Sequence, residues 1–247
     1  MEDLRAALQY VVGLSVEAEK TEVLEINGKT YADKSLTRYD KAPKADAIKA
    51  SSLTALLDYI NSCSQEFAGN MIIHIVSPTW VRLMSALDKE REREVLFESE
   101  AEVSGYQFGR WYDQEDFMIA LQANFELNGD LEAVMKFAGN IEKKNSQTFS
   151  DDGRTQVATM NVGIASKADV IVPNPVELIP YRTFQEVEQP SSEFVFRIGD
   201  KEVPAFKIVE AEGGIWKNEA IYNIKNYLME QISNMDELIR NSITVIG

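Results

Sequence analysis

The sequence predicts an α+β protein: a small N-terminal α/β lobe, then a largely antiparallel β-sheet covered by helices, and a long C-terminal helix. Three observations carry this prediction. A helical repeat over 53–62 precedes the continuous apolar run 71–76, which is typical of a helix packed beside a buried strand. Short strand-like segments punctuated by prolines fill 146–210. Apolar residues then recur at helical spacing over 217–239, which predicts a long helix.

The N-terminal lobe is predicted to span residues 1–104. Its first segment, from Asp3 to about Val16, has apolar residues near helical spacing, which predicts an amphipathic helix. Alternating apolar and polar residues flank Asn27-Gly28, which is a strong hairpin signal. Ser51 or Ser52 is expected to cap the helix that follows it. The remaining candidate strands of this lobe are 45–50 and 79–84.

The second lobe is predicted to span residues 105–247, unless the chain forms one continuous domain. Asp113 is expected to cap a helix over 115–127, and Asp130 to cap a second helix over 131–141. Because only a short turn separates them, the two helices are predicted to form a hairpin. The remaining predicted strands are 154–166, 168–172, 176–179, 193–198, 203–210 and 242–246.

Composition excludes several classes of protein. The 247 residues include 40 acidic and 25 basic residues, and the net charge of −15 disfavours nonspecific attraction to nucleic acid. The single cysteine excludes an internal disulfide framework and a multi-cysteine zinc site, and the single histidine removes most triads. No apolar run is long enough for a membrane span, and the N-terminus does not have the features of a secretory signal.

The common catalytic motifs GxxxxGK, GxGxxG, HExxH and GxSxG are missing from the sequence. His74 and Cys63 are interpreted as a strand histidine and a half-buried structural cysteine, because nothing nearby supplies a complete catalytic group. Glu210 and Glu212 are weak metal-ligand candidates, with Asp151 or Asp152, since they share a face at a strand end before two glycines. A structural turn explains these glycines equally well, and no metal or other cofactor is expected.

Two segments carry biased charge. The segment from Gly28 to Lys49 has a net charge of +3 with interleaved tyrosines, so it is either a nucleic-acid contact or a solvated hairpin. The acidic segment 88–102 includes Glu98, Glu100 and Glu102 on one face of a predicted strand. This segment is either a plain solvated face, a surface for a basic protein, or a mimic of phosphate charge.

Several blocks resemble a known family. These are LTALLDYI, IVSPTWVRLMS, ALQANFELNGDLEAVMKFAGNI, DDGRTQVATMNVGIAS, VPNPVELIPYRTFQEVEQPSSEFVFRI and EAEGGIWKNEAIYNIKNYL. They are similar to the YfdQ-like family of uncharacterised bacteriophage and prophage proteins. The resemblance implies a bacteriophage gene product in the host cytoplasm, from a gene region that serves replication and recombination. It implies no reaction and no catalytic residues.

The most specific of these blocks, PYRTFQEVEQPSSEFVFR, also has a physical interpretation. Charge pairs between its arginines and glutamates would pin a loop that Pro180 and Pro190 stiffen. Rigid loops with aromatic residues and arginine are typical of protein interfaces, although a structural corner has the same ingredients. The candidate partner-binding residues are Arg182, Phe184, Glu186, Glu188 and Arg197.

The leading hypothesis is therefore a non-enzymatic bacteriophage accessory protein that forms homo-oligomers and binds a host or phage protein. The first alternative is an anti-defence protein, acting as a nucleic-acid mimic or as a sponge for a nucleotide signal. A sponge needs basic ligand contacts, for which Arg154, Lys167 and Arg182 are candidates. The second alternative is a metal-dependent enzyme acting on nucleic acid through Glu210 and Glu212.

Overall fold

The structure is a computed structural model that describes residues 2–33, 43–103, 105–140, 149–151, 155–162, 166–199 and 204–247. The chain divides into two compact units, Met1–Lys44 and Ala45–Gly247. This division lies well before the boundary that the sequence predicts at residue 105. Within the described ranges, no helix is long and apolar enough to cross a membrane.

The first unit contains a helix and a hairpin. Helix α1 spans Glu2–Glu19, and strands β1 (Val23–Ile26) and β2 (Lys29–Ala32) pair antiparallel. The turn between these strands is Asn27-Gly28, and both residues have positive φ, 54° and 71°. Asn and Gly are the residues that adopt this conformation most readily, so the predicted hairpin is confirmed.

The second unit contains two five-stranded sheets, a three-stranded sheet and five helices within its described residues. Its elements are β3 (Ile48–Ala50), α2 (Leu53–Ser62), β4 (Met71–Ser77), β5 (Trp80–Ser85), β6 (Val95–Glu100), β7 (Tyr112–Asp113), α3 (Gln114–Asn124), β8 (Phe125–Glu126), α4 (Gly129–Gly139), β9 (Phe149–Asp151), β10 (Thr155–Val162), β11 (Ser166–Pro173), β12 (Val176–Pro180), β13 (Ser192–Gly199), β14 (Ala205–Glu210), α5 (Trp216–Ser233), α6 (Glu237–Ser242) and β15 (Ile243–Ile246). The predicted α+β class, with its antiparallel sheet and C-terminal helix, is confirmed.

The first sheet has the strand order β15-β4-β5-β6-β3. Its two edge strands pair parallel with their neighbours, whereas the three central strands are antiparallel. Alternate residues of β4, such as Met71 and Ile73, are buried, and those between them are half-buried. Since α2 and α5 both contribute to this core, a helical layer covers one face of the sheet.

The sequence specifies α2 closely. Leu53, Leu56 and Ile60 follow helical spacing and are fully buried, and the Ser52 hydroxyl accepts a 3.2 Å hydrogen bond from the Ala55 amide. This bond satisfies one of the amides that have no partner in the first turn of a helix. The predicted helix and its cap are therefore both confirmed.

The second sheet has the order β7-β14-β13-β12-β8 and is antiparallel throughout. Helices α3 and α4 pack on it, as the predicted helical hairpin requires. Phe117 of α3 and Phe137 of α4 both contact Phe196 of β13, with ring centroids 6.0 and 5.8 Å apart. Aromatic side chains therefore dominate this core, and each contributes a large buried apolar surface.

Three predicted helix boundaries are wrong in detail. The helix predicted over 115–127 ends at Asn124, because Phe125 and Glu126 form β8 and pair with β12. The cap of α4 is Asn128, whose side chain accepts from the Leu131 amide at 2.8 Å, and not Asp130. Asp130 instead accepts a hydrogen bond from the Glu177 amide of β12. The predicted helix 217–239 is interrupted after Ser233, because the Asp236 side chain accepts from the Leu238 amide and caps a separate helix, α6.

The acceptor for the C-terminal helix also differs from expectation. The sequence favours the sheet made by strands within 154–210 as the cover for the apolar stripe of this helix. In the structure, however, α5 contacts β4, β15 and α2 of the first sheet. Two features explain this. Strand β15 follows α5 and α6 and pairs with β4, which brings α5 to that sheet, and α3 and α4 already cover the second sheet.

Candidate functional site

Arg182 is a buried side chain of the block PYRTFQEVEQPSSEFVFR that makes several hydrogen bonds. It lies after β12 and is only 8% exposed. Its Nη1 atom donates to Glu210 Oε1 at 3.3 Å, and its Nη2 atom donates to the Pro190 carbonyl at 3.1 Å and to the Ser192 hydroxyl. The guanidinium also lies 4.1 Å from the ring centroid of Trp216. One side chain thus joins the loop, β13, β14 and the start of α5.

Burial sets the electrostatics of this group. Loss of solvation lowers the pKa of Arg182 to about 10, and the nearby Glu210 carboxylate acts in the opposite direction by favouring the charged form. The guanidinium remains positively charged at neutral pH, and its charge is matched by a partly exposed carboxylate. Removing the partners of a buried cation that is paired and hydrogen-bonded in this way destabilises the fold, because the charge is then uncompensated.

Gln189 holds the rest of the loop in shape. Its side-chain oxygen accepts from the backbone amides of Arg182 and Thr183 at 3.0 and 3.3 Å, and its amide nitrogen donates to the Phe184 carbonyl at 2.9 Å. Phe184, 1% exposed, belongs to the core of the first sheet together with Val187. The block therefore forms a structural corner, with its aromatic anchor directed into the protein.

The other candidate partner-binding residues are distributed around this corner. Glu186 is half-buried and accepts from the amide and hydroxyl of Thr54, at 3.0 and 3.2 Å, at the start of α2. Glu188 is exposed, and Arg197 lies opposite Lys207 in the register of β13 and β14. The expected pairing of Arg182 with glutamates of its own block is wrong, since it pairs with Glu210. Binding of a partner by this loop remains a prediction.

The metal and phosphate candidates are not assembled into one site by the described residues. Glu210 pairs with Arg182, and no group of three or more metal-binding side chains occurs within the described ranges. Asp151 lies in β9, whereas Asp152 and Arg154 lie outside the described residues. Lys167 lies in β11, opposite Asn161 of β10.

His74 and Cys63 occupy structural positions. His74 is a half-buried residue of β4 that lies opposite Arg82 of β5. Cys63 is half-buried and ends α2, where its amide donates to the Tyr59 carbonyl at 2.8 Å. These positions agree with the structural interpretation of both residues.

An open cleft of about 1160 Å³ lies at the carboxyl ends of β3 and β6. Trp80 and the predicted acidic row Glu98, Glu100 and Glu102 line it, with Lys49 as a basic residue. Arg82 lies 3.7 Å from the centroid of a Trp80 ring, and its Nε atom is 3.1 Å from Glu98 Oε1. Glu100 and Glu102 are exposed, so the cleft presents an acidic and partly aromatic surface. Sequence reasoning found the carboxylates but missed Trp80 and Arg82, which only pairing with β6 brings beside them.

The first unit exposes much of its apolar surface. Its two strands are exposed at every position whose side chain is described, and α1 is exposed along its described length. The exposed large apolar residues of this unit are Leu4, Leu8, Tyr10, Val11, Val12, Leu14, Val16, Val23, Leu24, Ile26 and Tyr31. So many exposed large apolar residues in one small unit are typical of an interaction site.

Two surfaces of the protein thus have the properties of binding sites: the apolar first unit and the acidic cleft of the second. The charge pair between Arg182 and Glu210 has a structural role. Comparison with family models, curated proteins and solved structures gives no match.

Proposed function

We propose that the protein is a non-enzymatic bacteriophage accessory protein that self-assembles and binds a second protein in the cytoplasm of the host bacterium. The observation that carries the proposal is the apolar surface of the first unit, whose large side chains remain exposed along α1 and the hairpin. Covering such a surface by association gains free energy in proportion to the apolar area removed from water. The resemblance to a phage family supports the biological setting.

The contacts and positions of the polar side chains support a role in binding rather than catalysis. Arg182 and Glu210, two of the candidates for ligand chemistry, bind each other. His74 lies within a strand and Cys63 ends a helix. A nucleophile or general base needs a neighbouring group that orients or activates it, and both residues have structural positions instead.

The acidic cleft supports a basic partner. Glu100 and Glu102 are exposed at its rim, and the whole chain has a net charge of −15. Complementary charge accelerates the encounter of two proteins and disfavours partners of like charge. A Lys- or Arg-rich protein surface therefore fits this cleft better than nucleic acid does. A partner that acts in phage replication or recombination would agree with the gene region that the resemblance implies.

Self-assembly is tested by light scattering on the purified full chain at micromolar concentration. We expect a molar mass that is a multiple of 27.8 kDa, because the described part of the first unit leaves its large apolar residues exposed. A strict monomer under these conditions would contradict the proposed function.

Partner binding is tested by affinity capture of tagged protein from infected cells. We expect Glu100→Lys with Glu102→Lys to reduce the recovery of basic proteins, because these changes invert the charge at the cleft. The matched control is Glu115→Lys with Glu132→Lys, which makes the same change in net charge at exposed positions of α3 and α4. Equal recovery with both pairs would show that the cleft is not the binding surface.

A further inference from the structure

Helix α1 has a regular apolar seam. Leu4, Ala7, Val11, Leu14 and Ala18 are separated by alternating intervals of three and four residues, and all five are exposed. This spacing averages 3.5 residues, which is the repeat of helices that pack along one another in coiled coils and bundles. The same spacing also occurs on a helix that packs on a sheet, so the positions beside the seam decide between the two.

The positions beside the seam are suited to close contact between identical helices. Leu8, Tyr10 and Ser15 flank it over the central turns and carry no charge, whereas the acidic residues Asp3 and Glu17 lie toward the ends. In coiled coils, charges at these flanking positions select a different partner or repel a like one. Uncharged flanks let copies of one helix approach without like-charge contact, and the apolar ones widen the seam as in a bundle.

The first unit needs such a cover to be stable. An isolated helix of 18 residues is only marginally stable in water, and so is an isolated two-stranded hairpin. Leu4, Val11 and Leu14 are 68%, 62% and 48% exposed, so the other described residues of the first unit do not cover them. A lipid surface is a poor fit, because helices that lie on anionic membranes have basic polar faces. Here Arg5 is the single basic residue of α1, against four acidic ones.

We infer that the occupant of this seam is the same helix from other copies of the chain, so that α1 assembles the protein as a helical bundle. This inference rests on the self-assembly proposed above and identifies the surface that performs it. It separates the two activities of the chain: the first unit assembles, and the second unit, which has its own two cores, remains available for a partner.

The neighbouring residues Val11 and Val12 provide a matched test. They are 62% and 60% exposed, but Val11 lies in the seam and Val12 lies outside it. Val11→Glu and Val12→Glu in the full chain make the same chemical change at adjacent helical positions. We expect light scattering to give a monomer of 27.8 kDa for Val11→Glu and the wild-type oligomeric mass for Val12→Glu.

The outcomes separate the inference from the proposed function. An oligomeric wild type together with an oligomeric Val11→Glu variant would leave self-assembly intact but place its interface elsewhere, which overturns the inference. Equal loss of assembly in both variants would also overturn it, since the seam would have no special role. A monomeric wild type would contradict the proposed function itself. Far-ultraviolet circular dichroism of both variants confirms that the second unit remains folded.

Discussion

Arg182→Ala is expected to lower the free energy of unfolding of the second unit by about 3 kcal/mol. The change removes hydrogen bonds to the Pro190 carbonyl and the Ser192 hydroxyl, and it leaves Glu210 without its cation. It also leaves a cavity beside the Trp216 ring, which the guanidinium contacts at 4.1 Å. The expected value is at the low end for a buried pair, because the Glu210 side chain is 29% exposed and water can partly replace its partner.

The measurement is the urea unfolding midpoint, followed by tryptophan fluorescence, with Arg110→Ala as the control. Arg110 is exposed and donates to Gln107 Oε1 at 2.9 Å, so its loss is expected to change the free energy by less than about 0.5 kcal/mol. Both variants change the net charge equally. Equal midpoints for the two variants would show that Arg182 does not stabilise the corner, which would contradict the structural role assigned to it.

Leu228→Ala is expected to lower the free energy of unfolding by about 2–4 kcal/mol, with a fall of several degrees in melting temperature. Leu228 is fully buried in the core of the first sheet, where α5 packs against β4, β15 and α2. Truncation to alanine removes apolar contacts and leaves a cavity that the surrounding residues fill only in part. Self-assembly through α1 is expected to be unchanged.

The control for this variant is Met229→Ala on the same helix. Met229 is 53% exposed, so its truncation removes little buried surface. Differential scanning calorimetry of the two variants gives the comparison. A melting temperature for Leu228→Ala that matches that of Met229→Ala would mean that α5 is peripheral to the first sheet.

Local features of the sequence predicted most elements of the fold. Asn27-Gly28 predicted a hairpin because few residues adopt positive φ. Ser51 or Ser52 predicted the start of α2, and the Ser52 hydroxyl accepts from the otherwise free amide. The spacing of Leu53, Leu56 and Ile60 predicted which face of α2 is buried. Each of these inferences depends only on residues within one or two turns of each other.

Contacts between distant segments could not be predicted in this way. An apolar stripe shows that one face of α5 is buried, but it does not show which sheet covers that face. The partner of Arg182 is Glu210, 28 positions along the chain, whereas the glutamates of its own block were nearer in sequence. Only the antiparallel pairing of β13 with β14 brings Glu210 beside the start of β13, where Arg182 binds Ser192.

For α1, the sequence predicted the helix but not the exposure of its apolar seam. The sequence predicted an amphipathic helix, and its apolar residues would normally be assigned to the core of the same domain. Their exposure in the structure shows that the other described residues of the first unit do not form a core around them. The open cleft likewise needs the register of β5 with β6, which places Trp80 opposite Glu100 and Arg82 opposite Glu98.

The pairing of β15 with β4 has a consequence for the nascent chain. Ile243 lies beside Met71, about 170 positions earlier, so this sheet cannot be completed until residue 246 has left the ribosomal exit tunnel. Until then, the edge of β4 that receives β15 has unpaired backbone groups next to apolar side chains, a state that favours aggregation. If translation ends shortly before β15, the released chain therefore lacks the last strand of its first sheet. Chaperones and proteases act on that form.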